Sequence, residues 1–220
     1  MEGMEVRISK RTLIVICAVV ILLIIAIVCI FKGEPKHRVK NMYEKISNTQ
    51  NFTFTMEETT TEINYRVSMA QRGTDVSIDM YSGYEHNTTL VLENESYYIM
   101  HNDKEYYNYG DEKVDSDIIL SSLKNILKDE YVSGKEEING ITYYYEEFNN
   151  DNNDFIIFAN INESSNVRIR FYFKGNDIYY IKNIVQNEDS EQEELIKTNL
   201  TYNVDDTLFN IPKDYAEVAE

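Results

Sequence analysis

Cysteine is nearly missing from this chain: among 220 residues only Cys17 and Cys29 carry a thiol, and both lie in one apolar run near the N-terminus. Everything after that run has no thiol for a disulfide, a thiolate metal site or covalent catalysis, and must fold on its apolar core alone. Familiar catalytic motifs are missing as well: there is no His-Glu-x-x-His pair, no Gly-x-Ser-x-Gly nucleophile turn and no glycine-rich phosphate loop. The three histidines, His37, His86 and His101, are scattered, and each reads as an ordinary surface residue. These absences lead us to expect no enzyme activity, no metal and no cofactor.

Positive charge is scarce too. Lys and Arg number 21 against 38 Asp and Glu, a formal net charge of −17. Only Arg7, Lys10, Arg11 and Lys32 on the basic side and Glu2 and Glu5 on the acidic side precede Gly33, so 17 basic residues face 36 acidic ones beyond it, a net of −19. Such a field repels nucleic acid and anionic headgroups, and no basic patch follows Lys40, so no nucleic-acid partner is expected.

What the chain does have is one long uncharged stretch, residues 13–31, with the sequence Leu-Ile-Val-Ile-Cys-Ala-Val-Val-Ile-Leu-Leu-Ile-Ile-Ala-Ile-Val-Cys-Ile-Phe. At a rise of about 1.5 Å per residue it matches the roughly 30 Å hydrocarbon core of a bilayer, so it reads as a single transmembrane helix. It is longer than a cleaved signal peptide's apolar region and lacks small residues at a cut site. Val28 before Cys29 departs from the small residue that a lipid-attachment motif requires. Flanking charge nearly ties, and the short basic tail favours a cytoplasmic N-terminus. The expected organisation is residues 1–12 as cytoplasmic tail, 13–31 as signal anchor in the cell membrane, and 32–220 as one extracytoplasmic domain. A disulfide-free exported domain suits a bacterial envelope.

Within that domain, Val39, Met42, Tyr43 and Ile46 fall on one face of a helix. The period then becomes two. Phe52, Phe54 and Met56 alternate with threonines, as do Tyr65, Val67 and Met69 with Arg66 and Ser68, and Val76, Ile78 and Met80 with Ser77 and Asp79. Further strands are expected at 88–93, 96–101 and 105–109. A helix capped by Asp115 follows, running to about 129 with a stripe of Ile119, Leu123, Ile126 and Leu127. Strands return at 131–137, 141–148, 154–161, 167–173, 178–186 and 195–203, with Asn139-Gly140 and Lys174-Gly-Asn-Asp177 as hairpin turns. The acidic run Glu188-Asp-Ser-Glu-Gln-Glu-Glu194 reads as an exposed connection, and Asn149-Asn-Asp-Asn-Asn-Asp154 as a solvated turn rather than a Ca²⁺ loop, since it lacks the glycine and terminal glutamate of an EF-hand.

The stretch Gly134-Lys-Glu-Glu-Ile-Asn-Gly-Ile-Thr-Tyr-Tyr-Tyr-Glu-Glu-Phe148, the Phe171-Tyr-Phe-Lys-Gly-Asn-Asp-Ile178 hairpin and the terminus Leu208-Phe-Asn-Ile-Pro-Lys-Asp-Tyr215, in this element order, resemble the LolA/LppX-like superfamily of envelope lipoprotein-type domains. The resemblance covers most of residues 36–215. It implies a mainly β (α+β) fold: an antiparallel half-open β-barrel with an N-terminal helix and one inserted lid-like helix, preceded here by a single transmembrane helix. It also implies an apolar concave face that holds acyl chains in relatives. No ligand motif carries over, and a tether argues against shuttling cargo.

The candidate ligand-binding face is Phe52, Phe54, Tyr65, Val67, Met69, Val76, Ile78 and Met80. Each could equally be filled core, because only sheet curvature separates a cavity from a packed interior. The tyrosine clusters Tyr97-Tyr98, Tyr106-Tyr107-Tyr109, Tyr143-Tyr144-Tyr145 and Tyr179-Tyr180 keep a second class open, a ligand-free surface for an envelope protein or wall polymer. Their plainer reading is as β-formers that straddle both faces of a sheet.

Overall fold

Alternation at period two builds most of the chain, because it gives each strand one apolar face to bury. The computed structural model describes residues 37–59, 64–93, 95–111, 118–150, 166–187 and 190–218. The apolar run at 13–31 and the strand expected at 154–161 lie outside them. Among the described residues no helix is long and apolar enough to cross a membrane.

The fold is mainly β, and the described residues form an open twelve-stranded sheet with two helices. Helix α1 (Arg38–Thr49) leads into a meander of β1 (Asn51–Thr59), β2 (Asn64–Arg72), β3 (Asp75–Ser82), β4 (Glu85–Leu92), β5 (Glu95–Met100) and β6 (Glu105–Gly110). Helix α2 (Ile118–Ile126) connects to a second meander of β7 (Tyr131–Ile138), β8 (Ile141–Asn149), β9 (Asn166–Lys174), β10 (Asp177–Gln186) and β11 (Glu191–Thr201). A 3-10 turn (Asp206–Phe209) and the short β12 (Ala216–Glu217) close the chain. The spatial order is β12-β6-β5-β4-β3-β2-β1-β11-β10-β9-β8-β7. All neighbours are antiparallel except β12 with β6, and the two meanders are joined by β1 against β11.

One face of the sheet is covered by the helices. Val39, Met42 and Ile46 of α1 and Leu123 and Ile126 of α2 are buried in one cluster with Phe52, Phe54, Met56 and Met69 from the first meander and Phe148, Ile169, Phe171, Ile181 and Ile196 from the second. The first turn of α1 has backbone donors that need acceptors. His37 sits in the left-handed region and offers no side-chain cap. Instead Glu146 of β8, only 2% exposed, reaches up from the sheet: its Oε1 accepts from the Arg38 N–H at 2.5 Å and its Oε2 from the Val39 N–H at 3.0 Å. Negative charge at a helix N-terminus is also favoured by the helix dipole.

On the opposite face the two meanders differ. Ala70, Leu90 and Ile99 form a second cluster with Phe209, under a C-terminal segment that adds Val204, Leu208, Ile211 and Tyr215. Arg72 holds this segment by pairing with Asp206 at 2.8 Å and stacking on Phe209 at 4.4 Å. Across β7–β11 the face is a ladder of charge. Lys182 Nζ meets Glu136 at 2.8 Å and Glu193 at 3.0 Å, Arg168 meets Glu147 at 3.0 Å and Glu191 at 2.9 Å, and Arg170 meets both Glu136 and Glu147. The acidic run expected as an exposed connection is therefore strand from Glu191 onward. Its acidic side chains stay in the sheet because Glu193 and Glu194 face Lys182 and Asn183 on β10 and Glu191 reaches Arg168 on β9. Gly134 lies beneath the Tyr145 ring, where a Cβ would come within 2.6 Å of the hydroxyl.

Replacing Glu146 by Leu is expected to lower the free energy of unfolding by about 2–4 kcal/mol, because two charge-assisted hydrogen bonds are lost and two buried donors are left unpaired. Gln, which keeps one acceptor, is expected to cost about half of that. Urea unfolding of both variants measures this, and an unchanged midpoint in Glu146→Leu would mean that α1 docks through its apolar stripe alone.

Candidate functional site

Strand register places all eight candidate residues on the helix-covered face. Phe52 pairs with Gln71, Phe54 with Met69, Met56 with Val67 and Glu58 with Tyr65 across β1–β2. Gln71 then pairs with Val76, Met69 with Ile78 and Val67 with Met80 across β2–β3. Their burial is graded along the strands. Phe52, Phe54, Met69 and Val76 are fully covered and belong to the filled core, whereas Tyr65, Val67 and Ile78 are half-buried and Met80 is 53% exposed. Val67 and Ile78 still pack against the core, so of the eight candidates Met80 is the one that is largely exposed.

The open end of this face continues beyond the residues expected from sequence. Ile78 pairs with Thr89 and Thr89 with Tyr98, while Met80 pairs with Asn87 and Asn87 with Met100. Glu85, His86, Asn87, Tyr98, Met100, Asn102 and Asp103 line a cavity of about 350 Å³. Its lining is mostly polar, with Tyr98 and Met100 as its apolar part.

Where β1, β10 and β11 meet, this side of the sheet carries a carboxyl pair. Burial pushes Glu194 up to about 7; the Asn183 amide, donating at 3.0 Å, opposes this, and the neighbouring Glu58 carboxyl adds to it.

The opposite face of β3–β5 holds a polar cluster that sequence reading missed. His86 and His101 are stacked with ring centroids 3.9 Å apart, so two of the three histidines taken for scattered surface residues are neighbours. Asp79 Oδ1 lies 2.6 Å from His86 Nε2 and accepts from the Thr88 hydroxyl at 2.9 Å. Thr88 Oγ1 is also 2.8 Å from His101 Nε2, and His101 Nδ1 is 3.0 Å from the Tyr215 hydroxyl of the C-terminal segment. Arg66 sits 3.4 Å from Asp79 Oδ2. The hydrogen bonds run in one direction, from Tyr215 through His101 and Thr88 to the Asp79 carboxylate. The Thr88 proton goes to Asp79 and the residue is 7% exposed, so the arrangement does not activate a hydroxyl nucleophile. Burial, reinforced by the nearby His86 and opposed by Asp79, holds the His101 imidazole below its usual pKa and therefore neutral near pH 7. Asp79, His86 and His101 each offer one ligand atom, all within 4.8 Å of one another. The antiparallel pairing of β4 with β5 makes this legible in principle, since its register, with Asn87 opposite Met100, brings His86 and His101 together. The His101 N–H donates to the His86 carbonyl at 2.9 Å.

The tyrosine clusters divide between faces. Tyr98 and Tyr107 lie with the open apolar face, whereas Tyr97 and Tyr106 pack into the cluster under the C-terminal segment. Tyr143 is buried against Tyr179 and Tyr180. Of the Asn-rich stretch, Asn149 ends β8 and Asn150 is buried, with its N–H donating to Val167, while 151–154 lie outside the described residues.

The raised Glu194 sets a pH dependence of stability. Between its unfolded value near 4.5 and its folded value near 7 the folded state binds more protons, so stability is highest below this window and falls as pH rises through it. Glu194→Gln is expected to match the wild type at pH 4.5 and to exceed it at pH 8 by about 1 kcal/mol, after discounting for solvent screening of a half-exposed group. Thermal melts across pH 4–9 test this, and parallel curves for the two proteins would refute the shift. No protein-family model matches the chain, and no curated protein matches it.

Proposed function

We propose that this chain is a membrane-tethered, extracytoplasmic binding domain of the LolA/LppX-like kind, whose helix-covered face takes an apolar, lipid-like ligand at its open end. The observation that carries this reading is the graded burial of one continuous apolar face, from Phe52 and Phe54 under the helices to Met80 at 53% exposure. The ligand surface is then Tyr65, Val67, Ile78, Met80, Tyr98 and Met100, and the residues under α1 and α2 are its packed floor. In this reading the sheet curls into the half-open barrel that the resemblance implies, with α2 at its rim.

Energetics favour an acyl chain. Covering six methylenes supplies about 5 kcal/mol before the cost of association, enough for reversible capture. The occupant is near at hand, because only residues 32–36 separate the expected anchor from the folded domain, a reach of about 18 Å when extended. The alternative, a tyrosine-rich surface for an envelope protein or wall polymer, has weaker support: the tyrosine pairs alternate between faces, and Tyr84 at the β3–β4 turn stands alone in its high exposure.

The test begins with residues 33–220 purified without detergent, extracted with organic solvent and assayed for lipid by mass spectrometry beside a matched acidic control. A stoichiometric lipid is expected. The double variant Ile78→Asp, Met80→Asp is expected to bind a fluorescent acyl probe at least about tenfold more weakly, a loss of about 1.4 kcal/mol. A wild-type protein that is empty and also fails to take up the probe would end the lipid reading.

A further inference from the structure

We infer that Asp79, His86 and His101 form a binding site for a divalent first-row transition ion, on the face of the sheet opposite the apolar surface. The three side chains come from three adjacent strands in fixed register, β3, β4 and β5, and all are half-buried, so the ligands are preorganised and still open to solvent. Two imidazoles and one carboxylate are a donor set that suits Zn²⁺ and its neighbours better than Ca²⁺ or Mg²⁺, which prefer oxygen throughout. A fourth position is left for water.

The surroundings are those of a ligand set. Tyr215 faces His101 Nδ1 at 3.0 Å, and a phenol hydroxyl can either donate to that nitrogen or accept from it. It therefore supports both the metal-free tautomer, with hydrogen on Nε2 toward Thr88, and the ligating tautomer, with hydrogen on Nδ1 and the Nε2 lone pair on the ion. Arg66 lies on Asp79 Oδ2 and leaves Oδ1 for the metal. Outer contacts of this kind orient ligands in known metal sites. The acidic character of the chain, −17 overall, raises the local concentration of cations.

Binding involves no redox step. Each imidazole binds as the neutral base, any proton it carried passes to solvent, and the ion replaces the hydrogen bonds that now converge on Asp79 Oδ1. His86 Nε2 and Asp79 Oδ1, now 2.6 Å apart, must separate to about 3.3 Å to share a tetrahedral ion with bonds of about 2.0–2.1 Å. Small χ rotations that unstack the two rings supply that movement.

The test uses the full chain in detergent, purified without a histidine tag and stripped with a chelator. Zn²⁺ is titrated against a chromogenic competitor, and Co²⁺ is followed by its visible absorption. One Zn²⁺ per chain is expected, not displaced by excess Ca²⁺. His86→Ala and His101→Ala are each expected to weaken it by more than tenfold, Tyr215→Phe by about 10- to 100-fold, and His37→Ala not at all. X-ray absorption at the zinc edge of the wild-type protein needs no variant: two imidazoles in the coordination shell support the site. A shell of oxygen alone, undiminished binding in the His86→Ala, His101→Ala double variant, or no Zn²⁺ uptake by the wild type would each overturn it.

Discussion

The pairing of β1 with β11 holds this architecture together. Each meander could hydrogen-bond within itself, but the helix-covered core draws on both, and only the Phe54–Leu200, Met56–Thr198 and Glu57–Lys197 register brings them into one sheet. That contact closes 140 or more residues of chain, so its entropy cost must be met by what it buries. Phe52, Phe54 and Met56 are all nearly solvent-free, which makes β1 the strand with most to gain from the junction. A fold that rests on so distant a contact has high contact order, and its two meanders have no shared core until the junction forms. Glu146 then ties the first element to the second meander, because its hydrogen bonds to Arg38 and Val39 span over a hundred residues.

Much of this was legible because period two is a local signal. The alternation over Phe52–Phe54–Met56, Tyr65–Val67–Met69 and Val76–Ile78–Met80 assigns a face without any knowledge of neighbours, and the register confirms one common face. The stripe of α1 was equally local, and Val39, Met42 and Ile46 are its buried residues. Other features depended on partners distant in sequence. Glu191, Glu193 and Glu194 look like a solvated loop until Arg168, Lys182 and Asn183 are placed beside them. Glu146 reads as one more surface carboxylate in a tyrosine-rich strand, and nothing local says that a helix N-terminus will sit over it.

Burial was the least legible quantity. Phe54 and Met80 obey the same alternation, and yet one is core and the other is largely exposed, because the helices reach only part of the face. Sequence assigns the face; the length and placement of α1 and α2 decide how much of it remains available. The histidine cluster was missed for a related reason: residues fifteen apart are related only by a hairpin, and its use as a ruler requires the turn to be fixed first.

The two faces of β3–β5 are coupled by the geometry of the strand itself. Asp79 precedes Met80, His86 precedes Asn87, and His101 follows Met100, so each of these three is chain-adjacent to a residue of the helix-covered face, pointing the other way. A constraint that fixes Asp79, His86 and His101 relative to one another also fixes the spacing of Met80, Asn87 and Met100. A slip of one residue would exchange the two sets outright, placing imidazoles on the helix-covered face and methionines under the C-terminal segment. The hydrogen-bond chain from Tyr215 to Asp79 therefore acts as a register lock for the surface behind it, and the segment that brings Tyr215 into place contributes to that lock.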